Sequence, residues 1–175
     1  MPDAKIIFLI GMPAVGKSFW GNRIAQAYSL QFTDLDLFIS QEEQASIAAL
    51  FAKYGETGFR EREQKYLKKI IRNVTADTVV SCGGGTPGYA DNMQIMKAAG
   101  TVIYLMADTR YLLNNLKNSN EIRPLLNGRG DMSIYLNDLL QKRKNIYEQA
   151  HHILHAEDIS LITFDKIITS CISRL

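Results

Sequence analysis

The residues Gly11-Met12-Pro13-Ala14-Val15-Gly16-Lys17-Ser18 restrict the fold more than any other part of the chain. They match G-x-x-x-x-G-K-[ST], a spacing that carries meaning only as a turn between a buried strand and a helix. Both flanks are in place. Ile6-Ile7-Phe8-Leu9-Ile10 is an unbroken apolar run, as expected of a strand covered on both faces in a parallel sheet. Lys17 to Tyr28 reads as a helix with Ile24 and Ala27 on one face. In that setting the glycines let backbone N–H groups turn inward around phosphates. Lys17 adds a charge at the β- and γ-phosphates, and the Ser18 hydroxyl can ligate Mg²⁺. The expectation is nucleotide binding.

The rest of the chain repeats the alternation. Gln31-Phe32-Thr33 reads as a short strand ending at Asp34, followed by a long helical region from about Ser46 to Asn73 with a break at Tyr54-Gly55. Thr78 to Ser81 is a strand stopped by Gly83-Gly84-Gly85. Ala90 to Ala99 is a helix, Thr101 to Met106 a strand and Thr109 to Leu116 a helix. Ser133 to Ala150 reads as a helix, Ile153-Leu154 as a short strand and Phe164 to Leu175 as a closing helix. Such alternation implies right-handed βαβ crossovers and a doubly wound α/β sheet. Residues 117–131 are polar and glycine-bearing, and too long for a plain connection; loops of that kind are usually lids or binding loops.

With 175 residues the expectation is one domain, residues 1–175, large enough to bury a core unaided. Net charge is +2, so bulk electrostatics attract neither nucleic acid nor an anionic membrane, and any anion recognition has to be local. Cys82 and Cys171 lack metal-type spacing and read as reduced thiols. The first apolar run is too short for a signal sequence, and no window approaches a membrane span. The expected location is the cytoplasm, and the expected state is a monomer.

Within nucleotide-binding folds, the residues narrow the class. An Asn-Lys-x-Asp base-reading motif is absent, which argues against a guanine-specific GTPase. The strand Val79-Val80-Ser81 runs into glycines where a motor or pump ATPase usually carries an acid. Acids occur instead at Asp34 and Asp36. In an extended segment, residues two apart face the same side, so both could address one pocket at the sheet's C-terminal edge. One near the metal and one near an acceptor hydroxyl would suit phosphoryl transfer; the plainer reading is a helix cap plus a surface acid. Arg60 and Glu63 share a helical face, so Arg60 could fork an anion while Glu63 holds it; alone, a solvated helix start explains them as well. Three consecutive glycines at Gly83-Gly84-Gly85 mean that something approaches the main chain closely.

In this order the pieces resemble the shikimate kinase family, essentially end to end. The marks are the phosphate loop, Asp34-x-Asp36, Phe59-Arg60-x-x-Glu63, Gly83-Gly84-Gly85, Arg123-Pro124-Leu125-Leu126, and Arg143 four residues before Tyr147. The resemblance implies a three-layer P-loop fold with a five-stranded parallel sheet, a mobile lid at about 117–131 and an acceptor region at about 34–63. It implies transfer of phosphate from ATP to the 3-hydroxyl of shikimate, in aromatic amino acid biosynthesis. It assigns Gly11, Ala14, Val15, Gly16, Lys17, Ser18 and Phe19 to the nucleotide, and Ser18 and Asp34 to Mg²⁺. Asp36 would bind the acceptor hydroxyls and take the proton. Arg60 and Arg143 would clamp the carboxylate over Gly83, Gly84 and Gly85. Arg123 would close with the lid, touching ATP and neutralising the transferring group.

Two departures stand out. Many relatives carry a further arginine just before the lid, stacked on adenine; here the stretch is Asn114-Asn115-Leu116-Lys117. Phe19-Trp20 is bulky where small residues are usual, and Trp20 reads as packing. The cluster His151-His152-Ile153-Leu154-His155 lacks acids or cysteines at ligand spacing for zinc. Two alternatives remain open at this point: a gluconate-type small-molecule kinase, and a nucleotide-binding module without turnover.

Overall fold

The computed structural model describes residues 4–117 and 131–172. The sheet-forming runs are β1 (Ile6–Ile10), β2 (Gln31–Asp34), β3 (Thr78–Ser81), β4 (Thr101–Met106) and β5 (His152–His155). They pair in parallel, in the order β2-β3-β1-β4-β5. β1 is the central strand and is buried along its whole length. Side chains such as Phe8 and Leu9, fully enclosed, each contribute roughly 1.5–3 kcal/mol by leaving water. This is why the run lacks the polar alternation of a half-exposed strand.

Seven α-helices accompany the sheet among the described residues: α1 (Lys17–Ala27), α2 (Leu35–Glu43), α3 (Ile47–Asn73), α4 (Asn92–Ala99), α5 (Thr109–Lys117), α6 (Met132–Tyr147) and α7 (Leu161–Cys171). The core face of α1 carries Gly21, Ile24 and Ala25; Ala27, expected there, is exposed, because the helix turns one residue off the assumed face. α2 was not anticipated. Asp34 ends β2 and at once caps α2, its Oδ1 accepting from the Asp36 and Leu37 amides at 3.0 and 3.2 Å. In α3 the expected break is at Gly55, whose φ of 67° and ψ of −176° interrupt the helical path without separating its two halves. α6 stops at Tyr147 rather than Ala150. α7 begins three residues early, because Ser160 and Thr163 form a reciprocal capping box.

The strand order sets the position of the site. The chain leaves β1 toward β2 on one side of the sheet and leaves β3 toward β4 on the other. The loops after these adjacent strands therefore diverge, opening a crevice at their C-terminal ends where α/β sheets bind ligands. The loop after β1 is Gly11–Gly16, and the loop after β3 holds the glycine triplet. In the first turn of α1, the Trp20 ring lies 5.7 Å from Phe164 of α7 and in edge contact with Phe19 at 5.4 Å. Trp20 is packing, as the sequence suggested. No described helix is long and apolar enough to cross a membrane.

Candidate active site

Gly16 takes up left-handed geometry, φ 97°, at the start of α1, and no side chain caps that helix end. A helix start of this kind, without a side-chain cap, suits an anion. Lys17 is buried, its Nζ donating to the carbonyls of Gly11 and Met12 at 3.0 and 2.9 Å. The ammonium is thereby folded over the loop that the motif assigns to phosphates. Ser18 Oγ donates to Asp34 Oδ2 at 2.5 Å and lies 3.1 Å from Ser81 Oγ. Phe19 is 57% exposed.

Asp34 and Asp36 do face one region, but not by the alternation of a strand. Asp34 is the cap of α2 and Asp36 lies in that helix's first turn. The capping reading was thus half right: Asp34 is a cap, yet Asp36 is not a surface acid. It is partly enclosed. Burial raises its carboxyl from the usual 3.8 to about 6, with the charges of Glu63 and Asp34 adding to the effect and Lys17 and Arg60 opposing it.

Arg60 and Glu63 of α3 are not a solvated helix start. Glu63 is 0% exposed and Arg60 is buried. Arg60 Nη1 donates to Glu63 Oε2 at 2.7 Å, and the Thr86 hydroxyl donates to Glu63 Oε1 at 2.5 Å. The guanidinium also lies 5.4 Å from the Phe59 ring centre. An ion pair this enclosed survives because both carboxylate oxygens are hydrogen-bonded.

The glycine triplet shows what approaches the main chain. A Cβ on Gly83 would lie 2.6 Å from Glu63 Oε1 and 3.3 Å from Asp36 Oδ1. One on Gly84 would meet Pro13 Cδ at 2.9 Å and Arg143 Nη1 at 3.1 Å. One on Gly85 would collide with the Arg60 guanidinium. Side chains from α2, α3, α6 and the phosphate loop thus converge on three residues that have none. The Gly84 carbonyl accepts from the buried Tyr147 hydroxyl at 2.6 Å. Burial raises the Tyr147 pKa against the pull of Arg143, which keeps the phenol a donor. Arg143 Nη1 is itself buried and has no hydrogen-bond partner among the described residues.

Arg60, Gly85, Lys142 and Arg143 line a cleft of about 520 Å³. Two arginines lining such a space suit a small carboxylate. A second hollow, about 400 Å³, lies at the ends of β4 and β5 between Asp108, Lys144 and Glu157, and holds none of the expected site residues. Arg123 and the expected lid, apart from its end residues Lys117 and Asp131, lie outside the described residues.

A family profile described as shikimate kinase matches residues 13–175. A shikimate kinase of Phocaeicola vulgatus is 37% identical over 155 residues, covering 87% of each chain. The chain belongs to the shikimate kinase family. Its backbone is similar to the crystal structure of the Bacteroides thetaiotaomicron enzyme of that name, with TM-score 0.86, 29% identity and coverage of 95% of this chain and 97% of that one. It is also similar to shikimate kinase from Acinetobacter baumannii in complex with shikimate, with TM-score 0.83, 29% identity and coverage of 96% and 93%. Membership makes the chain a shikimate kinase, a phosphotransferase; the family sets aside the gluconate-type alternative, and its activity the non-catalytic one. The five-stranded sheet of the P-loop kinases follows the expectation.

Four contributors were missed by sequence reasoning about the site. Ser81 stands at the end of β3 beside Ser18, where only an acid was sought. Thr86 and Tyr147 secure Glu63 and Gly84, and Tyr147 had served only to mark spacing. Asn115 donates to the Ala14 carbonyl at 2.9 Å across 101 residues of sequence. No local pattern announces such contacts. The histidine run, by contrast, has a packing role: His151 Nδ1 accepts the Val102 amide at 3.1 Å.

Proposed function

We propose that the protein transfers the γ-phosphoryl group of ATP to the 3-hydroxyl of shikimate, giving shikimate 3-phosphate and ADP. The whole chain acts as one domain, a cytoplasmic monomer serving aromatic amino acid biosynthesis. The observation that carries this reading is the packing of Gly84 between Pro13 of the phosphate loop and Arg143. The triphosphate grip and the anion-binding guanidinium meet across a single residue without a side chain, which suits in-line transfer between neighbouring ligands.

In this reading the loop residues Gly11, Ala14, Val15, Gly16, Lys17, Ser18 and Phe19 hold the nucleotide. Ser18 and Asp34 offer two adjacent hard oxygens, a donor set that fits Mg²⁺ completed by phosphate and water. When bound, that ion neutralises phosphate charge. Arg60 and Arg143 clamp the shikimate carboxylate, with Glu63 fixing the Arg60 fork, while Gly83, Gly84 and Gly85 form the floor. The 3-hydroxyl oxygen bonds to the γ-phosphorus as the bond to the β,γ-bridging oxygen breaks. Asp36 takes the hydroxyl proton, and ADP leaves with the bridging oxygen. Arg123, by the family pattern, stabilises the transferring group.

Steady-state kinetics of Arg60→Ala test the assignment. A hydrogen bond to a charged group is worth roughly 1.5–3 kcal/mol, so shikimate use should weaken by ~10- to 150-fold while ATP affinity stays within twofold. Equal loss of both would contradict it, as would ADP release from the parent enzyme that does not depend on shikimate.

A further inference from the structure

The phosphate loop contains a residue in an unfavourable conformation. Met12-Pro13-Ala14-Val15 is a tight turn closed by Val15 N–H to the Met12 carbonyl at 3.3 Å, long for such a bond. Pro13 occupies its second position, and Ala14 its third with φ 65°. That left-handed position normally belongs to glycine or asparagine, because a Cβ there crowds the following carbonyl. A strained turn with a weak closing bond needs a further restraint.

Asn115 supplies one. Its Nδ2 donates to the Ala14 carbonyl at 2.9 Å, a shorter bond than the turn's own. Asn115 lies in α5, which is anchored by the fully buried Leu112. The Ala14 carbonyl shares a planar trans peptide with the Val15 amide, so fixing one end fixes the direction of the other. We infer that Asn115 is a positioning residue of the nucleotide site, holding the Ala14 turn in the shape that binds phosphate. The sequence had drawn attention to this stretch only for an arginine it lacks. The inference rests on the loop binding ATP and is independent of which acceptor is used.

The test is the dissociation constant of ATP, measured calorimetrically with no acceptor present, together with thermal midpoints. Asn115→Leu removes the donor at similar size. Asn115→Asp keeps the shape but turns an acceptor toward the Ala14 carbonyl. Both should bind ATP about 5- to 30-fold more weakly, the loss expected when one partner of a partly buried hydrogen bond is removed. Adding Ala14→Gly, which relieves the turn, should restore at least threefold of that loss in either background. A merely structural role predicts weakening that follows the thermal midpoint and no recovery with glycine. ATP affinity within twofold of the parent in both variants, or no recovery with Ala14→Gly, overturns the inference. Should Asn115→Leu fail to fold, the isosteric Asn115→Asp decides. Since shikimate is absent from the titration, failure here leaves the assignment of the acceptor untouched.

Discussion

Asp36 carries a charge that its surroundings oppose, through burial first and then Glu63 and Asp34, so that its carboxyl titrates near 6 rather than 3.8. In the fold it holds its proton to higher pH than in the unfolded chain. Below 3.8 both states are protonated and nothing is lost. As pH rises toward 6 the unfolded chain sheds the proton first, so stability falls, and the full cost is present above 6. Asp36→Asn should therefore stabilise the ligand-free protein at pH 7.5 by about 1–3 kcal/mol and give little gain near pH 3.5. Denaturant melts at the two pH values would show it; an equal gain at both would refute the cause. The same substitution removes the proposed proton acceptor. Its kcat should drop roughly 10²- to 10⁴-fold with ATP affinity retained.

The turn after β3 acts as a unit rather than as three residues. A methyl group on Gly85 meets the Arg60 guanidinium, which Glu63 and two aromatic rings keep from moving aside. Gly85→Ala should thus raise the KM for shikimate about tenfold or more, by displacing a hydrogen-bonding charge, and leave the ATP dissociation constant within twofold. A parallel loss of both affinities would mean that the turn as a whole had shifted. Elements of this kind differ in how plainly a sequence announces them. The triplet and the break at Gly55 were legible because only glycine tolerates what happens there. α2 was not, because Asp34 serves as the last residue of a strand and the cap of a helix at once, and strand alternation happened to suggest the same facing of Asp34 and Asp36. The buried Arg60–Glu63 pair was legible in its spacing but not in its burial, since a charged helix stretch reads the same exposed or enclosed.

At the scale of the molecule, periodicity specified strands and helices and hence a parallel sheet, but not that β3 would lie between β1 and β2. That order depends on the direction of each crossover, which no local pattern encodes, and it is what sets the phosphate loop beside the glycine turn. The distant contacts Asn115–Ala14 and Tyr147–Gly84 follow from the assembled topology alone. The packing of Trp20 has a practical result. It is the chain's one tryptophan, its indole Cδ1 is 3.5 Å from where a Cβ on Gly16 would sit, and Phe19, Phe164 and the Arg23 guanidinium also lie beside the ring. Its emission should change saturably as ATP is titrated and stay flat with shikimate alone; the reverse pattern would place the nucleotide elsewhere. The enzyme carries its own optical gauge, a single indole wedged where the first turn of one helix leans on the last described helix, able to report occupancy without any label.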